Sequence, residues 1–178
     1  GCGTLYPRKG PDLFIELAKE AKRLDPDLHC SFVWAGGGLT ENAVVEHNKM
    51  ATRSGVGDIV RFIGETDDLV RLLIATDVFA LTSREDPFPL VNMEALSFGI
   101  PVLAFEGTGG APELIEEDAG IVVPHLDAGA MARALLTLAR NENLRHEMGT
   151  AARLKMRERF SAKRYTAELL ERISLSGN

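Results

Sequence analysis

The feature of this sequence that most constrains its fold is an alternation between short apolar runs and segments with helical periodicity. The runs of strand length are "HCSFVWAGGG", "IVRFIG", "DVFALTS", "IPVLAF" and "GIVVP". Between them, apolar residues recur three and four positions apart, as on the buried face of a helix. Strands that alternate with helices are typical of a parallel sheet. We therefore predict an α/β fold: one doubly wound, Rossmann-like parallel sheet over residues 1–178, with helices on both faces and a helical C-terminal tail.

Individual helices can be placed from the same periodicity. The first is predicted over Pro11–Leu24, with Pro11 in its first turn and a buried face made of Phe14, Leu17, Ala18 and Ala21. Further helices are predicted over residues 41–54, 67–75 and 91–98, and from residue 127 onward, ending in "YTAELLERI". The stretch "EGTGGAPELI" is predicted to be a glycine-rich turn. In such a sheet, ligands bind beyond the carboxyl ends of the strands.

Composition and charge exclude several classes of partner. The chain has 178 residues, 45% of them hydrophobic, and a net charge of -6, which argues against a nucleic-acid surface. No apolar run reaches the roughly 20 residues needed to span a bilayer, so we expect a cytoplasmic protein. Cys2 and Cys30 lack metal-ligand spacing and are expected to be inert thiols, and the four histidines suggest no metal site. The opening "GCGTLYPRKG" resembles a cut from a longer chain.

The stretch "SREDPFPLVNMEA" places carboxylates around the start of a predicted helix. Asp86 and Glu94 are eight positions apart, and ionised carboxylates accept hydrogen bonds from the hydroxyls of a sugar or a ribose. Between them, Pro89 is predicted to be the first helical residue, which leaves the amides of Leu90 and Val91 free to bind phosphate. Hydroxyl acceptors beside phosphate donors indicate a nucleotide-sugar.

The cations of the first loop suit the same ligand. Arg8 and Lys9 follow the opening strand-like segment, and a lysine there could reach a diphosphate as a point charge. Stabilisation of a departing diphosphate is electrostatic work, which often supplies the largest share of catalysis. The glycines of "AGGG" and "GTGG" do not complete a dinucleotide-binding motif, and we assign them to tight turns and close packing.

Four blocks of the sequence resemble, in order and spacing, the C-terminal domain of the glycosyltransferase group 1 family: "RKGPDLFIELAKEA", "VRFIGETDDLVRLLIATDVFALTS", "SREDPFPLVNMEALSFGIPVLAF" and "GTGGAPELIEEDAGIVVPHLD". The resemblance implies the GT-B fold, in which two Rossmann-like domains face each other across a cleft. It implies a retaining transfer of a hexose from a nucleoside-diphosphate sugar, without a metal or other cofactor. A saccharide or lipid-linked acceptor would bind the N-terminal domain, which this chain lacks, and the full-length protein could lie at the membrane periphery.

The same resemblance implies roles for individual residues. Lys9 would contact the donor diphosphate, Asp86 the sugar and Glu94 the ribose. Backbone near Ile63 would meet the base, and the segment Phe88–Val91 would touch sugar and phosphate, with Lys9 and Asp86 as the catalytic pair. Residues of the binding set are Arg8, Lys9, Ile63, Asp86, Phe88, Pro89, Leu90, Val91 and Glu94.

Three alternatives stay open at this point. The first acid of the family's Glu-x7-Glu motif falls on Asp86, but Glu85 stands beside it. The family's diphosphate-binding arginine falls on Thr4, and Arg8 could supply the missing charge. The fold would also suit a nucleotide-sugar epimerase or a non-catalytic nucleotide-binding module, and less well a flavodoxin-like regulator.

Overall fold

The computed structural model describes residues 1–27, 29–40 and 42–160, together with Thr166 and Leu170. The described residues contain the strands β1 (Phe32–Ala35), β2 (Val60–Gly64), β3 (Phe79–Leu81), β4 (Val102–Phe105) and β5 (Gly120–Val123). They also contain the helices α1 (Pro11–Leu24), α2 (Ala43–Arg53), α3 (Leu69–Ile74), α4 (Leu90–Ser97), α5 (Ala111–Ile115), α6 (Ala128–Arg140) and α7 (Glu142–Arg159). The order of elements confirms the predicted alternation of strands and helices.

The strands are parallel, as predicted, but their hydrogen bonds fall into two groups within the described part of the chain. One group pairs β1 with β2, and the other has the order β3-β4-β5. The opening segment lies along β1: the Ala35 amide donates to the Gly1 carbonyl at 3.0 Å, and the Gly3 amide donates to the Ala35 carbonyl at 2.9 Å. This segment forms an isolated parallel bridge, Cys2 with Ala35, and not a strand.

Strand β4 separates two apolar cores. Successive side chains of a strand point to opposite faces, so Leu103 and Phe105 join one core while Val102 and Ala104 join the other. The first core contains buried residues of α1 and α6, and the second contains buried residues of α4, α5 and α7. All four residues of β4 are buried. Helices therefore cover both faces of the sheet, as the prediction requires.

The first core is organised around aromatic rings from α1, β1 and β2. The ring of Phe14 contacts those of Phe32, Trp34 and Phe62 edge-on, with centroids 5.3–6.3 Å apart, a favourable geometry for aromatic pairs. The indole Nε1 of Trp34 donates to the Gly3 carbonyl at 2.9 Å. This bond and the ring contacts fix the opening segment, which leads directly into the loop carrying Lys9.

Two local predictions need correction. "EGTGGAPELI" is not only a turn, because its second half forms the five-residue helix α5, too short to show periodicity in the sequence. Helix α4 begins at Leu90 with Pro89 as its N-cap in extended conformation (φ -74°, ψ 105°), so Pro89 is not the first helical residue. The predicted final segment "YTAELLERI" lies outside the described residues, apart from Thr166 and Leu170.

Candidate functional site

The loop that carries Lys9 is a 3-10 turn, Pro7–Lys9, closed by a glycine. Gly10 has the left-handed conformation (φ 68°), which a glycine adopts without steric cost, and its amide donates to the Pro7 carbonyl at 3.1 Å. A Cβ atom at position 10 would lie 1.9 Å from the Thr82 carbonyl oxygen. Gly10 thus lets the first loop approach the loop after β3 at backbone contact.

This approach joins the two predicted catalytic residues. The Nζ of Lys9 donates to Oδ2 of Asp86 at 2.6 Å, across 77 positions of sequence. The two side chains are 19% and 8% exposed. Glu85 is exposed, and its carbonyl oxygen accepts a hydrogen bond from Arg8 Nη1 at 2.9 Å. Of the two adjacent acids, the structure therefore pairs Asp86 with the lysine and turns Glu85 outward.

Asp86 is held from its other side by the turn after β4. Its amide donates to the Thr108 carbonyl at 2.6 Å, and the Gly110 amide donates to the Pro87 carbonyl at 2.9 Å. A Cβ atom at Gly109, whose φ is 135°, would lie 1.8 Å from the Asp86 carbonyl oxygen. The glycines of "GTGG" thus permit close packing, as predicted from the sequence. They also fix the backbone of Asp86.

The start of α4 offers two free donors next to Asp86. The Asn92 amide donates to the Pro89 carbonyl at 3.0 Å, while the amides of Leu90 and Val91 have no acceptor among the described residues. Such amides, together with the helix dipole, favour an anion. Leu90 is exposed and Pro89 is buried. The shift of Pro89 to the N-cap therefore leaves the predicted phosphate donors in place.

Glu94 lies one turn further along α4 and is exposed. Burial is the largest influence on the pKa of the Cys2 thiol and raises it; the charged amino terminus lowers it, Glu94 raises it and Lys9 lowers it. Glu94 follows Leu90 by four positions on the same helix, and it has no hydrogen bond or ion pair with Lys9 or Asp86 among the described residues.

Ile63 is placed on the edge of the sheet that holds the Lys9–Asp86 pair through a chain of glycine contacts. It precedes Gly64 at the carboxyl end of β2 and is 44% exposed. The Gly36 amide donates to the Gly64 carbonyl at 2.7 Å, and a Cβ atom at Gly36 would lie 2.1 Å from the Gly3 carbonyl oxygen. A Cβ at Gly3 would in turn contact Cδ of Lys9 at 3.4 Å. Ile63 is therefore on the site's side of the sheet, without a direct contact to the ion pair among the described residues.

The remaining sequence-predicted residues border the same loops. Phe88 is 43% exposed, and its ring would be 2.8 Å from a Cβ atom at Gly110. Thr4, at the position where the family has its arginine, is exposed. Arg8 is committed to the Glu85 carbonyl through Nη1.

Sequence reasoning assigned no role in the site to Cys2 or Arg84, nor to Asn92 in the helix that begins beside it. Cys2 could have been found from topology, because it lies in the segment that leads into the Lys9 loop. Arg84 binds Asp12 through two hydrogen bonds of 2.8 and 2.6 Å, and no spacing rule connects residues so far apart in sequence. Asn92 is fully buried in α4, and neither atom of its amide has a hydrogen-bond partner among the described residues.

Two further observations concern the rest of the described chain. A cavity of about 840 Å³ lies at the amino ends of β1 and β3, lined by residues such as Cys30, Ser31 and Asp77, and neither Lys9 nor Asp86 borders it. Within the described ranges, no three His, Cys, Asp or Glu side chains come together as metal ligands, and no helix has the length and apolarity to cross a bilayer.

The sequence pattern of the family "Glycosyl transferases group 1" matches residues 2–155. The chain belongs to this family. Among its relatives, the D-inositol 3-phosphate glycosyltransferase of Corynebacterium diphtheriae is 35% identical over 154 residues, which cover 84% of this chain and 36% of the relative. A GDP-mannose-dependent monoacylated alpha-(1-6)-phosphatidylinositol monomannoside mannosyltransferase of Corynebacterium glutamicum is 32% identical over 167 residues, covering 88% of this chain and 42% of the relative.

Solved structures agree with this membership in the group 1 family. HepE of Anabaena in complex with UDP superposes with a TM-score of 0.85 at 26% identity, covering 97% of this chain and 48% of that chain. The C-terminal domain of LpcC, a group 1 glycosyltransferase family protein of Francisella tularensis, has a TM-score of 0.77 at 21% identity and covers 91% of this chain and 85% of that chain, which shows the fold alone. The fold is the C-terminal half of a GT-B fold, and the chain spans 36–42% of the length of the two curated relatives above.

Proposed function

We propose that this chain is the donor-binding, C-terminal domain of a retaining glycosyltransferase, which transfers a hexose from a nucleoside-diphosphate sugar to an acceptor hydroxyl. The observation that carries the proposal is the 2.6 Å contact between Lys9 and Asp86 beside the open start of α4. A cation, a carboxylate and free amides at one point match the three kinds of group in such a donor. The UDP bound to the similar HepE structure supports the same ligand class.

Each residue has a distinct task in the proposed reaction. Lys9 neutralises the diphosphate as it leaves, and the amides of Leu90 and Val91 hold its oxygens. Asp86 accepts hydrogen bonds from the sugar hydroxyls and orients the anomeric carbon. Glu94 accepts from the ribose, backbone near Ile63 meets the base, and Phe88 and Pro89 line the sugar and phosphate segment. Arg8 adds positive charge from the first loop.

The Lys9–Asp86 ion pair implies an exchange step. The two side chains bind each other, so donor binding replaces one ion pair by two new contacts. Phosphate takes the place of Asp86 at Lys9, and sugar hydroxyls take the place of Lys9 at Asp86. A donor that carries both groups therefore leaves no charge unpaired, which limits the cost of opening a largely buried pair.

The acceptor and its surroundings belong to the same proposal. The acceptor, a saccharide or a lipid-linked saccharide, binds an N-terminal domain outside this chain, and a mannosyltransferase relative named for a phosphatidylinositol monomannoside supports the lipid-linked class. The reaction uses no metal, because Lys9 and the amides of α4 supply the positive potential. The enzyme works in the cytoplasm or at the membrane periphery.

Calorimetric titration of this chain with UDP, GDP, ADP and their sugars tests the donor site. We expect one of the three nucleoside diphosphates to bind and EDTA to leave its affinity unchanged. If none binds at millimolar concentration, the donor-site proposal fails. Turnover of a bound nucleotide-sugar without any acceptor and without hydrolysis would instead indicate an epimerase.

Glu94→Gln separates the ribose contact from the phosphate contacts. The amide keeps the size of the side chain but accepts a ribose hydroxyl without charge, so affinity for the nucleoside and the nucleoside diphosphate should fall together, by about fivefold to tenfold, since a charged hydrogen bond is stronger than a neutral one. Glu117→Gln is the matched control, because it makes the same substitution at an exposed glutamate outside the site. A loss confined to the diphosphate would contradict the ribose assignment.

A further inference from the structure

Arg84 joins the two loops that carry Lys9 and Asp86. Its Nη1 donates to the Pro7 carbonyl at 2.7 Å and to Oδ1 of Asp12 at 2.8 Å, and its Nη2 donates to Oδ2 of Asp12 at 2.6 Å. Pro7 begins the turn that ends at Lys9, and Asp12 lies in the first turn of the helix that follows. One guanidinium group therefore spans the whole turn that presents Lys9.

Backbone contacts extend this connection on both sides of Arg84. The Arg84 amide donates to the Arg8 carbonyl at 2.8 Å, and the Thr82 hydroxyl donates to the Gly10 carbonyl at 2.9 Å. In the opposite direction, Arg8 of the first loop donates a hydrogen bond to the Glu85 carbonyl. The two loops are thus bonded to each other at positions 82, 84 and 85, and the Lys9–Asp86 contact follows at position 86.

The Arg84–Asp12 pair is bidentate and partly exposed. The two side chains are 35% and 46% exposed, so solvent screens the pair in part, while its bidentate geometry adds specificity as well as energy. The hydrogen bonds from Arg84 nevertheless hold the pKa of Asp12 below its usual value, so the pair is formed at neutral pH. A bidentate pair of this kind fixes the geometry of the groups that it joins, in addition to any stability that it adds.

We propose that Arg84 is a positioning residue of the donor site: by binding Pro7 and Asp12 at once, it holds the turn of Lys9 at the distance from which the ammonium group reaches both Asp86 and a diphosphate. The proposal rests on the function proposed above and adds a residue to it. Arg84 itself does not contact the donor. It acts on the phosphate end of the ligand, because the turn that it holds carries Lys9 and not Glu94.

The planar fork of arginine is essential to this role. A lysine at position 84 would keep the positive charge, but a single ammonium nitrogen cannot span a carbonyl and both oxygens of a carboxylate in the same way. Positioning therefore predicts that Arg84→Lys and Arg84→Ala behave alike. A simple contribution of charge predicts that Arg84→Lys behaves as the unmodified chain.

The first test compares ligands with and without phosphate. For Arg84→Lys and Arg84→Ala, affinity for the nucleoside diphosphate that the unmodified chain prefers should fall about tenfold, because small displacements of a positioned charge are costly, while affinity for the matching nucleoside stays within about twofold. Arg140→Ala is the control, because Arg140 forms an equally short pair with Asp25 (2.6 Å) away from the site. Its affinities should not change.

The second test needs no ligand. In a Cys30→Ser background, the pKa of the Cys2 thiol is measured from the pH dependence of its alkylation by iodoacetamide. Burial raises the pKa of Cys2, the charged amino terminus lowers it, Glu94 raises it and Lys9 lowers it. With the other three influences unchanged, both Arg84 variants should raise the pKa when the turn of Lys9 loosens. Arg140→Ala should leave it where it is.

These measurements can overturn the inference independently of the proposed function. Normal diphosphate affinity in Arg84→Lys contradicts it, as does an equal loss of nucleoside and diphosphate together with a lowered melting temperature, or an unchanged pKa of Cys2 in both variants. If the unmodified chain binds no nucleotide, the proposed function fails, and the pKa of Cys2 still decides whether Arg84 positions Lys9.

Discussion

Two lysines of this domain lie largely buried beside an aspartate, and they differ in how completely their ammonium groups are satisfied. Lys155, on α7, donates to the Ile115 carbonyl at 3.1 Å, to Asp118, and pairs with Glu116 at 3.0 Å. An ammonium group has three donors, so Lys155 is saturated. Lys9 has one acceptor among the described residues, the carboxylate of Asp86. Lys155 links α7 to the end of α5 through its hydrogen bonds. Lys9 has donors left that can bind a ligand.

Lys9→Met should give the largest effect of these variants, and the effect should be a loss of nucleoside diphosphate affinity. Loss of charged hydrogen bonds to a diphosphate should cost roughly 2–3 kcal/mol of binding free energy, measured by calorimetry with the preferred nucleoside diphosphate. The variant also leaves the Asp86 carboxylate without its partner at a site that is partly exposed, so the free energy of unfolding should fall by about 1–2 kcal/mol.

The double variant Lys9→Met with Asp86→Asn checks this division. A neutral amide needs no counter-charge, so urea unfolding should show most of the lost stability restored, while affinity stays low. Restored affinity in the double variant would mean that Lys9 is not a phosphate ligand.

Lys155→Met should reverse the pattern. Its side chain is 5% exposed, and methionine fills a similar space but leaves the Ile115 carbonyl without its donor. The free energy of unfolding should fall by about 2 kcal/mol, measured by urea denaturation, and nucleoside diphosphate affinity should stay within about twofold of that of the unmodified chain. A loss of affinity as large as that of Lys9→Met would remove the distinction between the two lysines.

Asn92→Leu extends the comparison to a buried polar group that no described residue hydrogen-bonds. Both atoms of its amide are unbonded among the described residues, in a side chain with no exposed surface. Burying such a group costs free energy that a leucine of similar size avoids. Stability should therefore rise by about 1 kcal/mol in urea denaturation. A clear fall would show that a buried water satisfies the amide.

The features predicted best from the sequence are those that a few neighbouring residues determine. Helix α1 has the predicted bounds Pro11–Leu24, because a proline fixes its start and a periodic apolar face marks its length. Helix α5 was missed, since five residues between glycines and acids carry no period. Pro89 is one position from its predicted role, because proline suits both the N-cap and the first turn.

The sequence predicted which residues form the site but not which of them contact each other. The resemblance implies that Lys9 and Asp86 bind the same ligand. Their direct ion pair across 77 positions depends on how closely the two loops approach each other. The approach itself is set by Gly10 and Gly109, whose absent side chains make room for backbone contact. Arg84 was missed for the same reason, because its partners are defined only once those loops have met.

Strand β4 gives the domain its cooperativity. Its four residues are divided between the two apolar cores. If β4 is displaced when the helices on one face detach, apolar residues of the other core become exposed to solvent as well. The same strand runs into the turn whose Thr108 carbonyl accepts the amide of Asp86. The loop of Asp86 is therefore bonded to a turn whose strand is released only when both cores open, so one side of the carboxylate's loop is anchored in the most cooperative part of the domain.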